Sequence, residues 1–336
     1  MPALLSGSLE PGKAKAGVIS GQIIDMKLVR KSFILRKNMR WKRDIFMHYN
    51  ICIVRPVGYP HSDAFSELAE IVAYALEDLG NTVQFTENNM VDGARNILIG
   101  CHLAEPYSAN YVPSDTIVLN TEQIHVDEQD WNRKIYFWTS RYETWDYSER
   151  NLVKLRSLGA QRVKHLRLGF HPNLCRIPTD VVQDIDVLFY GTIGSRRKAI
   201  LDALIARGIK VCAVDCVYGA ARDALIARSK VVLNMHHFSS HIFEIVRVFY
   251  LMSNSKAVVG EVSLSTSIDP AYLNGFEAAT YDNLVETCVE LVGDSERRRK
   301  LEQAASETIR RHSQAKLIAL LLMNYSSGVD VLHTGS

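Results

Sequence analysis

The chain has 336 residues, 47% of them apolar and 23% charged, with a net charge of +2. This composition excludes a disordered or collagen-like chain, and the length exceeds the roughly 150 residues of an average domain, so two domains of ordinary size are expected. No apolar run approaches the roughly 20 residues of a membrane-spanning helix.

The N-terminal "MPALLSGSLEPGKAKAG" breaks its short apolar patch with Gly, Pro and Lys, unlike a secretory signal, and the expected location is the cytoplasm. The positive charge is local. Lys27 to Arg43 carries eight basic residues and no acidic one, which leaves the rest of the chain at −6. In this segment the cations alternate with Leu28, Phe33, Ile34, Leu35, Met39 and Trp41. Residues 1–47 therefore read as a basic arm that either packs its apolar residues on the protein or makes a peripheral contact at the inner membrane face. A nucleic-acid partner is disfavoured because no recognised motif accompanies the charge.

After the arm, "YNICIVRP" has the β-rich character of a buried strand, and "SDAFSELAEIVAYALEDLGN" that of an amphipathic helix with a Ser/Asp start and a Gly-Asn stop. "TVQFTEN", "NILIGCHL", "DTIVLNTEQI", "YETWDYS" and "RVKHLRLGF" are further short strands, the last two flanking the helix "ERNLVKLRSLG". Residues 173–184, rich in proline nearby and without periodicity, read as a linker between an N-terminal domain at 48–172 and a second domain at 185–322.

In that second domain the strands "IDVLFYGTIG", "IKVCAVDC", "KVVLNMHHF" and "KAVVGE" alternate with the helices "SRRKAILDALIARG", "GAARDALIARS" and "IFEIVRVFYLMSN", followed by closing helices. Residues 323–336 form a tail that crosses back or is disordered. Strands alternating with helices predict parallel sheets covered on both faces, so the fold class is α/β, with two Rossmann-like domains facing across a cleft. A ligand is expected between the carboxyl ends of the two sheets.

Two stretches carry the chemistry. In "DVLFYGTIGSRRKAIL" a strand ends at Gly191, turns through Thr192 and Gly194, and enters a helix bearing Arg196 and Arg197. Glycines admit a close backbone approach, a helix N-terminus offers N–H groups, and arginine grips phosphate oxygens in pairs. The stretch is either a diphosphate cradle or a tight turn before a helix with solvated cations. It is neither a Walker loop nor a full G-x-G-x-x-G, which disfavours an ATPase or a nicotinamide enzyme. In "NMHHFSSHIFEIVRVFYLMSNSKAVVGE", His236 and His237 leave a strand, Ser239 or Ser240 caps the next helix, and Glu244 and Arg247 share one helical face. A carboxylate there can accept both hydroxyls of a ribose, and His236 can donate to a phosphate or sugar oxygen.

The order of these segments, with the later "GFEAATYDNLVETCVELVGD" and "RRRKLEQAA", resembles the nucleotide-sugar-binding domain of GT-B glycosyltransferases, most closely the group 1 and spore-maturation-like branch. The likeness spans about residues 185–320. It implies sugar transfer from a nucleotide-diphosphate sugar to a glycan, peptide or small-molecule acceptor, in polysaccharide or glycoconjugate biosynthesis. It places the glycine loop at Gly191 to Gly194, the phosphate-binding cation at Arg196 or Arg197, and the nucleobase-side loop near Val217, Tyr218 and Gly219. Tyr250 stands where the spore-maturation-like pattern has a glutamate, so Glu244 becomes the expected ribose ligand, oriented by Arg247.

On the acceptor side, Glu122 in "VLNTEQI" and Asp146 in "YETWDYS" are the candidate general bases at strand ends, each otherwise a loop acid or a cap. His171 in "LGFHP" is expected to order the hinge. The "DID" at 184–186 precedes its strand, so no metal-binding D-x-D is expected, nor any cofactor beyond the donor itself. Six scattered cysteines, of which only Cys212 and Cys216 are close, are expected to be buried free thiols. A non-catalytic nucleotide-sugar or glycan-binding module, or a sugar-nucleotide epimerase, would share this architecture.

Overall fold

The computed structural model describes residues 46–125, 129–238 and 241–323. The basic segment 27–43, Ser239, Ser240 and most of the expected tail lie outside the described residues.

Residues from Phe46 onward form one compact unit containing two parallel sheets. The first has six strands: β1 (His48–Ile53), β2 (Thr82–Glu87), β3 (Arg95–Ile99), β4 (Ile117–Asn120), β5 (Glu143–Asp146) and β6 (Val163–His165), in the order β2-β1-β3-β4-β5-β6. The second has five: β7 (Ile185–Tyr190), β8 (Val211–Val214), β9 (Ser229–Asn234), β10 (Val258–Glu261) and β11 (Glu277–Ala279), in the order β8-β7-β9-β10-β11. β1, β4, β5, β7 and β9 are buried almost throughout, as strands covered on both faces must be. In each sheet the chain steps outward from a central strand and then returns to its other side, between β1 and β3 and between β7 and β9. Such reversals open a crevice at the carboxyl ends of the strands.

The covering helices are α1 (Ser66–Asp78), α2 (Gln129–Thr139), α3 (Glu149–Ser157), α4 (Ser195–Ala206), α5 (Gly219–Ala227), α6 (Ile245–Ser253), α7 (Leu284–Gly293), α8 (Ser295–Arg310) and α9 (Gln314–Met323). None is long and apolar enough to cross a membrane. Three differ from the sequence expectation. A 3-10 turn at Pro60–Phe65 takes up the Ser/Asp start, because the Ser62 hydroxyl bonds back to the Val54 carbonyl, and α1 begins only at Ser66. The unassigned "QDWNRKIYFWT" is helical, burying Ile135 and Trp138. α6 starts at Ile245, so Glu244 occupies its N-cap position and does not lie in the helix.

The crossing back comes earlier than the expected boundary at residue 322. Phe170 bridges to Ser313, the Gln314 side chain accepts from Gly169 N (2.5 Å) and donates to Arg167 O (3.2 Å), and α9 packs on α1. The largest apolar cluster accordingly runs from β1 and α1 through Leu168 and Leu174 to α6 and Ile318, so the two sheets share a core. Gly169 permits this return. A Cβ there would lie 2.1 Å from the His312 carbonyl oxygen. Gly169→Ala must push two backbones apart and is expected to destabilise the protein by about 3 kcal/mol, the upper part of the range for overpacking, read from urea melts.

Candidate functional site

A cleft of about 420 Å³ lies between the carboxyl ends of the two sheets. Its second-sheet wall begins at Gly191, where β7 ends. The glycine has φ +126°, and a Cβ would stand 3.0 Å from Arg247 Nη2 and 3.9 Å from Arg197 Nη1. Two guanidiniums therefore flank the turn at a position that a larger residue would block.

Arg197, in the first turn of α4, is buried and donates to Thr192 O (2.9 Å), Met235 O (2.6 Å) and Glu244 Oε1 (2.7 Å). Arg247, in α6, donates to Asn234 Oδ1 (2.9 Å) and pairs with Glu244 Oε2 at 2.6 Å. Glu244 is thus a clamp, one oxygen to each cation. Burial would raise its carboxyl, but Arg247 and Arg197 outweigh burial and hold it below the usual glutamate range. Burial lowers the Arg197 pKa, with Glu244 opposing. Each Glu244 oxygen carries one guanidinium, and its second lone pair is the acceptor that the expected ribose role would use.

Three expected ligands turn elsewhere. Arg196 pairs in two-pronged fashion with Glu261 of β10 and lies 3.9 Å above the Tyr281 ring. Adjacent helical residues do not share a face, so Arg197 can point into the cleft only if Arg196 points away from it. His236 gives its backbone N–H to Glu261 (3.0 Å) and sets Nε2 3.1 Å from Thr266 Oγ1, and burial lowers its pKa. The cleft residues from that loop are His237 and Phe238. Gly194 caps α4 with an ordinary φ of −80° and open space around it, so it demands no glycine. Thr192 and Tyr218 do line the cleft. Asp186 lies within β7, where it pairs with Lys230, and Asp184 pairs with Arg228.

On the first-sheet wall, Glu122 and Tyr147 face the cleft and Asp146 does not. Asp146 is fully buried and accepts from Asn120 Nδ2 (2.7 Å), Ser148 N (2.8 Å) and Asn151 Nδ2 (3.1 Å). Burial pushes its pKa up to about 7 against these donors. Asn120 and Asn151 also donate to the Glu122 carbonyl, so Asp146 fixes the loop that presents Glu122. Glu122 itself has Thr121 Oγ1 at 3.3 Å and His102 Nε2 at 3.6 Å, and burial raises its pKa. His102 is buried and pushed down to about 3, so it stands neutral behind the carboxylate. His171 stacks on Tyr74 and approaches Asp78 at 3.3 Å, in the region where the chain passes between the sheets.

A cluster that no sequence signal announced joins the two walls. Arg222 of α5 grips Glu67 of α1 through two hydrogen bonds of 2.9 and 2.7 Å, both side chains buried. Arg222 also pairs with Asp223, which accepts from the Tyr250 hydroxyl at 2.7 Å, and Arg176 reaches Tyr250, Glu67 and Glu70. Tyr250 is therefore a member of a clasp between the two sheets. Glu67 and Arg222 are 155 residues apart, and spacing could not have paired them.

These two facing sheets with a strand-end cleft are the GT-B fold, which solved glycosyltransferases share. HepE of Anabaena, in complex with UDP and glucose, superposes with a TM-score of 0.56 at 12% identity, covering 82% of this chain and 99% of that one. WaaG, a glycosyltransferase involved in lipopolysaccharide biosynthesis, gives 0.53 at 9% identity, covering 83% and 100%. Uncharacterized protein L140 of Acanthamoeba polyphaga mimivirus is 25% identical over 241 residues, 69% of this chain and 75% of that protein. No protein-family model matches the chain.

Proposed function

We propose that the protein transfers a sugar from a nucleotide-diphosphate donor, held by the second sheet, to an acceptor on the first-sheet wall. One observation carries the reading: Glu244 holds Arg197 and Arg247 side by side at the Gly191 turn, facing a cleft whose opposite wall presents Glu122. Two fixed cations and the N-terminus of α4 suit a leaving diphosphate, so the leaving-group step needs no metal. Glu122 would take the acceptor proton in an inverting displacement. Tyr218 lies on the nucleobase side. The bound UDP of HepE supports a donor of this class.

Calorimetry with nucleoside diphosphates tests the donor site. Hydrogen bonds to charged groups contribute about 1.5–3 kcal/mol, so Arg197→Ala is expected to weaken binding by about 10–150-fold. Equal affinity in wild type and variant would remove the site. Product analysis by mass and NMR then separates transfer from epimerisation, which would convert the donor without an acceptor, and from binding alone.

A further inference from the structure

A second cluster in the same cleft has no part in that reading. His61 lies in the 3-10 turn after β1; Asp215 and Cys216 lie in the loop after β8, on the other wall. One ligand atom from each of the three falls within 4.8 Å of the others. Cys216 Sγ stands 3.8 Å from His61 Nε2 and 3.9 Å from Nδ1. A tetrahedral zinc with Zn–S of about 2.3 Å and Zn–N of about 2.0–2.1 Å separates its sulfur and nitrogen by about 3.6 Å, close to the Sγ–Nε2 distance, and a rotation of the imidazole would aim Nε2 at the ion.

The surroundings agree with this. His61 Nδ1 lies 2.8 Å from the Tyr218 hydroxyl. A ligating imidazole takes such a partner on its other nitrogen, and with Nδ1–H donating to the Tyr218 hydroxyl, Nε2 keeps its lone pair for a metal. Cys216 adopts φ +55°, a conformation rare for a side chain other than glycine, asparagine or aspartate, and Asp215 Oδ1 accepts its N–H at 2.9 Å. Cys216 is exposed, contrary to the expectation of a buried thiol, so a metal can reach it. Thiolate with imidazole selects zinc over magnesium or calcium. The ligands come from positions 155 residues apart, which is why the spacing of the cysteines alone gave no zinc signature.

We propose that His61, Asp215 and Cys216 bind one zinc ion that ties the two walls of the cleft together, with a fourth position open to water or to an incoming ligand. The thiol loses its proton on binding, and that proton passes to solvent. The zinc ligands are distinct from Arg197 and Glu122, and the two readings share only Tyr218, the partner of His61.

The test is titration of the full chain with cobalt(II), then competition by zinc. The expected result is one equivalent of cobalt with a thiolate-to-cobalt charge-transfer band in the near ultraviolet, displaced by zinc. Cys216→Ser should abolish the band. His61→Ala should weaken zinc binding by about 100-fold or more, since loss of an outer-shell partner alone costs about 10–100-fold. Circular dichroism checks that both variants fold. Absence of the band in wild type, or an undiminished band in Cys216→Ser, overturns the site. Unchanged zinc affinity in His61→Ala overturns the link across the cleft. Nucleotide calorimetry reads the donor site separately, so failure of either proposal is distinguishable from failure of the other.

Discussion

Glu122→Gln is expected to slow sugar transfer by about 10²–10⁴-fold, the usual contribution of a positioned general base. The amide keeps the shape of the side chain and loses its basic oxygen. Affinity for the nucleotide should stay near that of wild type, because Glu122 stands on the wall opposite Arg197 and Arg247. The pH profile gives a second readout. Burial raises the Glu122 pKa, so the folded site remains protonated at pH values where an ordinary glutamate has ionised. Transfer should therefore rise with pH along an acid limb displaced above the usual glutamate value of about 4.3, and the glutamine variant should lack that limb. Stability moves the other way. A carboxyl whose folded pKa lies above its unfolded one contributes stability that is present below the unfolded pKa and is lost as pH rises through the folded one. Glu122→Gln should flatten the decline across that window. A variant with wild-type rate and an unchanged acid limb would place the base elsewhere in the cleft.

Glu67→Ala should destabilise the protein by about 3–5 kcal/mol, the cost of breaking a buried ion pair from one side. Arg222 would keep only Asp223, and Arg176 would lose one of its carboxylates. The clasp ties α1 to α5, so the loss should also loosen the contact between the two sheets, seen as faster proteolysis of the 173–184 segment. Chemical denaturation measures the first effect. The surface pair Lys198–Asp202 is the control, because both side chains are more than half exposed and Asp202→Ala should shift stability by less than about 0.5 kcal/mol. If the two variants melt alike, the clasp contributes little to holding the structure together.

Much of the fold was legible in the chain. Short β-branched runs alternating with amphipathic helices are enough for parallel sheets, since strands covered on both faces must be apolar almost throughout. The Gly191 turn followed by two arginines was equally legible, because a strand ending in glycine before a helix is a local pattern. The failures share a different cause. Which of Arg196 and Arg197 enters the cleft depends on Glu261 and Glu244, residues on β10 and at the start of α6. Glu122 and Asp146 look alike as strand-end acids, yet Asp146 meets Asn120 across β4 and β5 and is sealed in, while Glu122 is left facing the cleft.

By itself, then, the sequence determined most of the local elements, the two-sheet plan and the Gly191 turn, all of which follow from periodicity and turn chemistry within about 15 residues. Only the tertiary structure decided the roles of the polar side chains. A charge in a folded core goes to the partner that compensates its desolvation, and here those partners arrive from distant segments: Glu67 for Arg222 and Glu244 for Arg197.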